Sequence, residues 1–533
     1  MSPVGTVECR PNSSLPHVFD AVSFEYTNTQ ITPPLDEWSR ALQVCAFDNS
    51  RITDLRRSAR TRLVDRAQQF TLRLAGIADD AGMAPMDSGI LTGDPASQPI
   101  VMTGHQPVVF HSGLTFKYEI TEQVAADASA ICVGVVIDTD LGDAGQFSYP
   151  ESNPDSDAPK LAIETLAKSN NLYLNGRLRS AAEIGETGNK VENHLQRLGR
   201  NFASERFSAA IQDFTELAST KVSAMEANLI VRWQRGIGGR MLEIPLSAVA
   251  SFPESLMLTA DILKQPARFA AAYNSALEVF RGEHNIRNAA NPFPNLKIDK
   301  DSCELPFWLI SHNRGRRYVL EAQVDGNVTR LIANGKTVDT FTGNITAESL
   351  EPMLVQNIQI VPRGAMITAF LRLLFADLFV HGTGGGRYDQ FTDEFMRTWW
   401  NVEPSPFTVA SASRYLFPEL RAELERLEGI SSSLRELQFN PQRHFGSGVF
   451  GDQLENELRR LSKEKDDAVS RMKRSHAAGD SAKEIGKQIQ QITNRMKDVV
   501  TTEFEPQLET LTSMTAEQRD AVNCRTYPWF MFI

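Results

Sequence analysis

The spacing of apolar residues changes several times along the chain, and each change marks a different kind of element. Ile52, Leu55, Ala59, Leu63, Ala67, Phe70 and Leu74 recur at steps of three and four, which predicts one long amphipathic helix. A Gly-, Pro- and Asp-rich stretch from Ala78 to Pro99 then breaks the pattern and reads as a loop. Pro99-Ile-Val-Met-Thr103 is a short apolar run, followed by a helix with Phe116, Ile120 and Val124 on one face. Ile131 to Ile137 is apolar throughout and bounded by acids. Strand, helix and buried strand in that order predict a βαβ unit with a right-handed crossover, the start of a parallel sheet.

Beyond Ser148 the chain turns polar and Pro-rich, which suggests departure into an insertion. Residues from about 160 to 300 read as mostly helical, including the run of Phe269, Tyr273, Leu277 and Phe280. A meander follows: Leu305–Ile310, then Tyr318–Gln323, with hairpin turns expected at Asp325-Gly326 and Asn334-Gly335. Asn357–Val361 then reads as a strand, and a helix is expected through Phe370, Leu373, Leu374 and Leu378. A glycine-rich loop, HGTGGGRYD, would open another helix, and this second piece is expected to complete the sheet begun at Pro99.

Near the C-terminus, Leu454, Leu458, Leu461, Ala468 and Met472 keep a heptad seam, and Ile485, Ile489, Ile492, Met496 and Val499 keep another. Between them Gly479 can stop one helix, and Asp480 or Ser481 can cap the next. The fold class is therefore α/β: a Rossmann-like parallel-sheet core split by insertions, a small β meander and a C-terminal antiparallel coiled-coil hairpin. The expected segments are a helical lead-in over 1–97, core over 98–160, helical insertion over 161–300, meander over 301–345, core again over 346–445, and hairpin with tail over 446–533.

Bulk properties narrow the function. A chain of 533 residues exceeds one ordinary core. Its 41% hydrophobic and 23% charged residues are ordinary for a globular protein. A net charge of -11, with no local Lys/Arg cluster to offset it, disfavours nucleic acid as a partner. Five cysteines without CxxC spacing suggest buried thiols in a reducing compartment. MSPVGTVECRPNSSL has neither region of a signal peptide. The most apolar segment, Phe370 to Val380, is about half a bilayer span and carries Arg372 and Asp377. A cytoplasmic chain with no membrane partner is expected.

The candidate chemistry sits at expected strand ends. Thr103, Gly104, His105 and Gln106, with His111 close behind, lie between the first strand and its helix, where helix N–H groups line the crevice of an α/β sheet. His105, Gln106 and His111 could hydrogen-bond a substrate or stabilise developing negative charge there; the alternative is that Gly104 makes the turn and the histidines cap or pack. Asp138 and Asp140, two apart at the end of the second strand, are expected to face one cleft, where a metal, an amine or a shared proton would relieve their repulsion. No His/Cys set accompanies them, so no metal is expected. His381, Gly384, Gly385, Gly386 and Arg387 form the glycine-rich stretch, whose amides and arginine could take an anion; GK[ST] is absent, so it is no P-loop. Arg363 is expected at the same edge of the sheet. Trp399 and Trp400 read as helix packing.

These motifs resemble a known family. VMTGHQPVVFHSGLTFKYEI resembles the TGQQ…F.GP….K segment of the bacillithiol biosynthesis cysteine-adding enzymes. VVIDTDLGDAGQF stands where that family has an acidic GEDHDF-type strand end, and FLRLLFADLFVHGTGGGRYDQFTDEF resembles the segment ending in its GGPGE loop. Thr103, Gly104 and Gln106 match the first motif, with His105 in place of a glutamine. Asp138 and Asp140 match the acidic positions, with Thr139 where the family has histidine. Gly384 and Gly385 match the glycine loop, with Gly386 and Arg387 in place of its Pro and Glu. The resemblance implies a nucleotidyl-transferase-like core, a homodimer through the coiled coil, and condensation of cysteine with a glucosaminyl-malate acceptor. The expected partners are thus an amino acid and an amino-sugar conjugate, with a nucleotide as the candidate cofactor. Two alternatives stand beside this one: a dimeric binding or scaffold relative that keeps the fold without the reaction, and a nucleotide-dependent transferase.

Overall fold

The continuous apolar runs become the centre of a parallel sheet, as expected of strands covered on both faces. A computed structural model describes residues 26–45, 47–85, 90–153, 156–168, 172–288, 290–291, 293–478 and 481–533. Six strands make up the larger sheet: β1 (Thr27–Thr32), β2 (Ile100–His105), β3 (Ile131–Val136), β4 (Leu242–Pro245), β5 (Leu378–His381) and β6 (Phe407–Ser413). Their order is β1-β6-β5-β2-β3-β4. All pairs from β6 to β4 are parallel, and only β1 runs antiparallel, on β6. Every residue of β3 is buried. The chain is mixed α/β.

Several expected boundaries need correction. Leu242–Pro245 lies inside the stretch read as a helical insertion, yet it pairs with β3 as a core strand. Four residues are too few to show a period, so helical neighbours masked it. Ile358–Pro362 does not join the parallel sheet. It pairs antiparallel with Ser302–Ser311 as the outer strand of a second sheet, which continues through Arg316–Asp325, Val328–Ala333 and Lys336–Thr342. The helix after it stops at Leu374, and Leu378 already belongs to β5. Thr27–Thr32, within the helical lead-in, is an edge strand.

The two hairpin turns fall where the sequence puts them, between Asp325 and Val328 and between Ala333 and Lys336. The long amphipathic helix runs from Ser50 to Asp80, with Asn49 capping it through the Ile52 N–H. Its apolar stripe (Ile52, Ala59, Leu63, Ala67, Leu74) is buried, together with Arg56 and Arg60. Both arginines reach Asp377, a fully buried carboxylate that also accepts from the N–H groups of Ile100 and Cys45. That ion cluster ties the helix to β2 and to the start of β5. Cys132 and Cys303 are buried thiols.

By contact density the chain divides into two units, one from the described residues of Met1–Ser152, Ala162–Arg414 and Arg525–Ile533, the other from Asn153–Leu161 and Tyr415–Cys524. The last residues of the expected tail therefore belong with the sheet. In the second unit, helix Lys483–Ser513 packs against both Asp452–Ala477 and Pro418–Phe439. Leu458, Leu461, Ala468, Ile492, Met496 and Val500 form its core with Ile430 and Leu437. A third helix thus covers part of the expected two-helix seam. The expected turn at Gly479 and Asp480 lies outside the described residues. Among the described residues no helix is long and apolar enough to cross a membrane.

HGTGGGRYD is not a loop. Helix Thr383–Trp400 begins directly after Gly382 and takes in Gly384, Gly385 and Gly386. The glycines let this helix sit close on the sheet: a Cβ at Gly386 would run into Val409 of β6, and one at Gly385 would lie 2.6 Å from His381 Nδ1. Gly384 faces open space. Gly386→Ala is therefore expected to destabilise by roughly 1–3 kcal/mol through overpacking. Gly384→Ala should instead be neutral or stabilising by up to about 1 kcal/mol, because it lowers the entropy lost on folding. Urea unfolding of the two variants checks the contrast.

Candidate functional site

The motif segments follow β5, β2 and β3, neighbours in the sheet, and all leave from the carboxyl edge. Parallel strands put every one of their carboxyl ends on one side, which is where open α/β sheets bind ligands. Side-chain geometry then sorts the candidates.

Gln106 and Asp140 meet. Gln106 Nε2 donates to Asp140 Oδ2 at 3.0 Å, joining the loop after β2 to the loop after β3. Arg317, from the antiparallel sheet, donates to Asp140 Oδ1 and, at 3.1 Å, to the Thr139 carbonyl. The Arg317 guanidinium also lies 4.1 Å from the centre of the Trp308 ring, so an aromatic face and a carboxylate fix it together. Asp140 keeps 27% of its side chain exposed, which leaves the cluster open to a ligand. Thr139 Oγ1 is buried beside it with no hydrogen-bond partner among the described residues.

Asp138 turns away from that cluster. It is 2% exposed, and its two oxygens accept from the N–H and the hydroxyl of Ser247. Burial pushes its carboxyl up to about 6, against those hydrogen bonds, which favour the ionised form. The two acids therefore do not share a cleft: Asp140 is partly exposed, and Asp138 anchors the short helix Leu246–Ala250 that follows β4. A folded carboxyl near 6 holds a proton that the unfolded chain, near 3.8, has lost. Its contribution thus grows as pH falls from 6 towards 3.8 and is lost as pH rises through 6. Asp138→Asn is expected to keep the fold and remove that gain, about 1.4 kcal/mol per pH unit, which denaturant titrations at pH 6 and pH 4.5 would detect.

The histidines are neutral hydrogen-bonding groups. His105 Nδ1 donates to the Gln106 carbonyl at 3.0 Å, so Nε2 carries the lone pair. Burial, and then Lys117, lowers its pKa to about 3. His111 has the opposite tautomer: Nδ1 accepts from the Gly113 N–H at 3.1 Å and caps helix Ser112–Asp127. Burial, with Arg525 and Lys117, lowers its pKa to about 4. His111 thus takes the capping role foreseen as its alternative. Thr103 is buried and donates to the Val380 carbonyl across to β5. Gly104 approaches β3 so closely that a Cβ would stand 2.9 Å from the Val135 carbonyl oxygen. Its own carbonyl accepts from Lys117, a buried amine brought down to about 7 by burial and by Arg232.

His381 is tied to structure. Its Nε2 lies 2.8 Å from Asp389, which also accepts from Arg372 and Thr368, each at 2.8 Å. Burial alone would raise the Asp389 carboxyl, but His381 and Arg372 outweigh it and hold it well below the usual range. Arg387 is exposed, with no ion pair among the described residues. Arg363 requires a correction, because its strand belongs to the antiparallel sheet. It pairs with Glu304 there and lies 4.6 Å from the Trp308 ring centre.

Sequence reasoning missed one polar path entirely. Gln359 Nε2 donates to the Ser247 carbonyl and, at 2.7 Å, to Ser251 Oγ. That orients the Gln359 amide, so its Oε1 accepts from His312 Nε2 at 3.1 Å. With Nε2 donating, Nδ1 carries the lone pair in the neutral ring, and His312 lines a hollow of about 790 Å³. Hydrogen bonds through Ser247, by way of its backbone, and through the Gln359 side chain thus link Asp138, just past the end of β3, to His312 at that hollow. Ser247, Gln359 and His312 lie more than 100 residues from Asp138 in sequence, and none belongs to a motif. Among the described residues no group of three or more His, Cys, Asp or Glu is gathered to hold a metal.

Compared with protein-family models and with curated proteins, the chain matches none.

Proposed function

We propose that this chain is an amide-forming, ligase-type enzyme on a Rossmann-like, nucleotidyl-transferase-like core, joining cysteine or a similar amino acid to the amine of an amino-sugar-type acceptor. The observation that carries the reading is the Gln106–Asp140–Arg317 cluster, which links two motif loops at the carboxyl edge of adjacent strands. In it, Arg317 and Gln106 fix the position of Asp140, and the partly exposed carboxylate holds the ammonium of a substrate by charge-assisted hydrogen bonding. His105, neutral at pH 7, offers a lone pair rather than a proton. Condensing a carboxylate with an amine requires an activated acyl group, so nucleotide dependence belongs to this reading. A homodimer through the C-terminal helices and a cytoplasmic location belong to it as well.

The test is product formation by the purified full chain. Cysteine, an amino-sugar acceptor and a nucleoside triphosphate are incubated and analysed by mass spectrometry for the sum of the two substrates less one water. Asp140→Asn is expected to lower turnover by about 10²–10⁴-fold while leaving thermal unfolding close to that of the wild type. Turnover equal to wild type in that variant would remove the cluster from the reaction.

A second reading, a binding relative without the reaction, draws on a different observation: Asp138, His111 and His381 are all engaged in structural hydrogen bonds. It is supported if amino-sugar ligands raise the unfolding temperature while no condensation product forms.

A further inference from the structure

The hollow beside His312 has a composition that the overall charge conceals. It is lined by Leu174–Arg177, by Lys221, Ser223 and Glu226, and by His312 with Arg314–Arg316. Arg177, Lys221, Arg314 and Arg316 are exposed, and none forms an ion pair among the described residues. The one carboxylate of the lining, Glu226, is already engaged: it caps its own helix with Ser223 and pairs with Arg73 at 2.5 Å. Four cations without ion pairs therefore line about 790 Å³ of space beside a single, already paired carboxylate, in a chain that carries -11 overall. Like charges gathered at a concave surface repel one another, and a bound anion relieves that repulsion. The volume lies within the range of small-molecule sites, roughly 300–1,000 Å³.

The hollow is also built to stay in place. Tyr173 N–H and Leu174 N–H bond to the carbonyls of Asp140 and Asp138 at 3.0 and 3.1 Å, so its floor hangs from the end of β3. Arg177 and Ser223 are joined by a β-bridge. Arg317, next to Arg316 in the chain, is held by Asp140 and Trp308. In its neutral form His312, whose Nε2 donates to Gln359, adds one hydrogen-bond acceptor, Nδ1, among the donors.

We propose that this hollow binds a small molecule bearing two or more oxyanion groups, carboxylate or phosphate, together with a hydroxyl or amine that donates to His312. Arg177, Lys221, Arg314 and Arg316 take the anionic groups. The inference rests on the hollow alone, since neither Gln106 nor Asp140 lines it, and it stands whether or not the chain forms amides.

Isothermal titration calorimetry on the full chain at low ionic strength tests this with three probes: pyrophosphate, fructose 1,6-bisphosphate and malate. At least one is expected to bind at one site per chain, and the preferred probe tells phosphate from carboxylate recognition. Arg314→Ala with Arg316→Ala together are expected to weaken that binding at least tenfold. Arg287→Ala, which removes an exposed arginine outside the hollow, should leave it unchanged. Both substituted positions are at the surface, and an unaltered circular dichroism spectrum would show the double variant folded. No binding of any probe at 10 mM, or binding that the double variant leaves untouched, would overturn the proposal. Asp140→Asn with normal binding but no turnover would separate this site from the reacting cluster.

Discussion

Replacing Asp377 by Asn is expected to cost the chain about 3–5 kcal/mol of stability, more than any exposed substitution. Asp377 has no exposed surface, and Arg56 and Arg60 beside it are each 3% exposed. One carboxylate thus compensates two buried guanidiniums while accepting from two backbone N–H groups. Asn has nearly the same volume, so packing is preserved and the change isolates charge. The two arginines still bond to the carbonyls of Arg372, Leu373, Phe375 and Ala376, but no anion remains to balance them. An uncompensated buried cation is the expensive outcome, whereas an intact buried pair often contributes little net stability. The effect should appear as a large fall in the urea midpoint. A loss below about 1 kcal/mol, the level of an ordinary surface ion pair, would show that water reaches the cluster.

Acidification is expected to weaken the fold through His105 and His111. Their pKa values, lowered to about 3 and about 4, mean that both rings stay neutral in the folded chain while the unfolded chain takes up protons below 6.5. A depressed pKa gives stability that is complete above 6.5 and is lost as pH falls towards the folded value. Each ring should cost about 1.4 kcal/mol per pH unit in that window, or about 2 kcal/mol between pH 6.5 and pH 5. Asp138 works in the opposite direction below 6, so the wild type alone would mix the two effects. The combined His105→Gln and His111→Asn variant isolates the histidines, and Asn can still cap the helix. Its loss between pH 7 and pH 5 is expected to be smaller than the wild type's by up to about 4 kcal/mol. Equal pH dependence in both would mean that the rings are solvated, as freely exposed catalytic histidines would be.

These cases show what the sequence could reveal. Long periodic elements were legible: the helix with Ile52 and Leu74 on one face, the buried run of β3 and the hairpin turns each carry a local signal. The lone Arg56 and Arg60 on an apolar stripe were not read as meaningful, because their partner Asp377 is over 300 residues away. β4 was hidden by its length. The glycine stretch was misread because close packing of a helix on a sheet and a flexible loop both call for glycine, and only Val409 and His381 distinguish them. Gln106 and Asp140 were found through their position at strand ends. Arg317 and His312 were not, since HNRGRRY reads simply as a connection between two strands. The cationic hollow escaped notice for the same reason, being assembled from three separated segments within an acidic chain.

Metabolite profiling of a strain lacking this gene, complemented with the wild type or with Asp140→Asn, tests the amide-forming role most directly. Loss of a low-molecular-weight thiol, with its amine precursor accumulating and only the wild type restoring both, is the expected result. Unchanged thiol and amine pools in the deletion strain, or full restoration by Asp140→Asn, would contradict it.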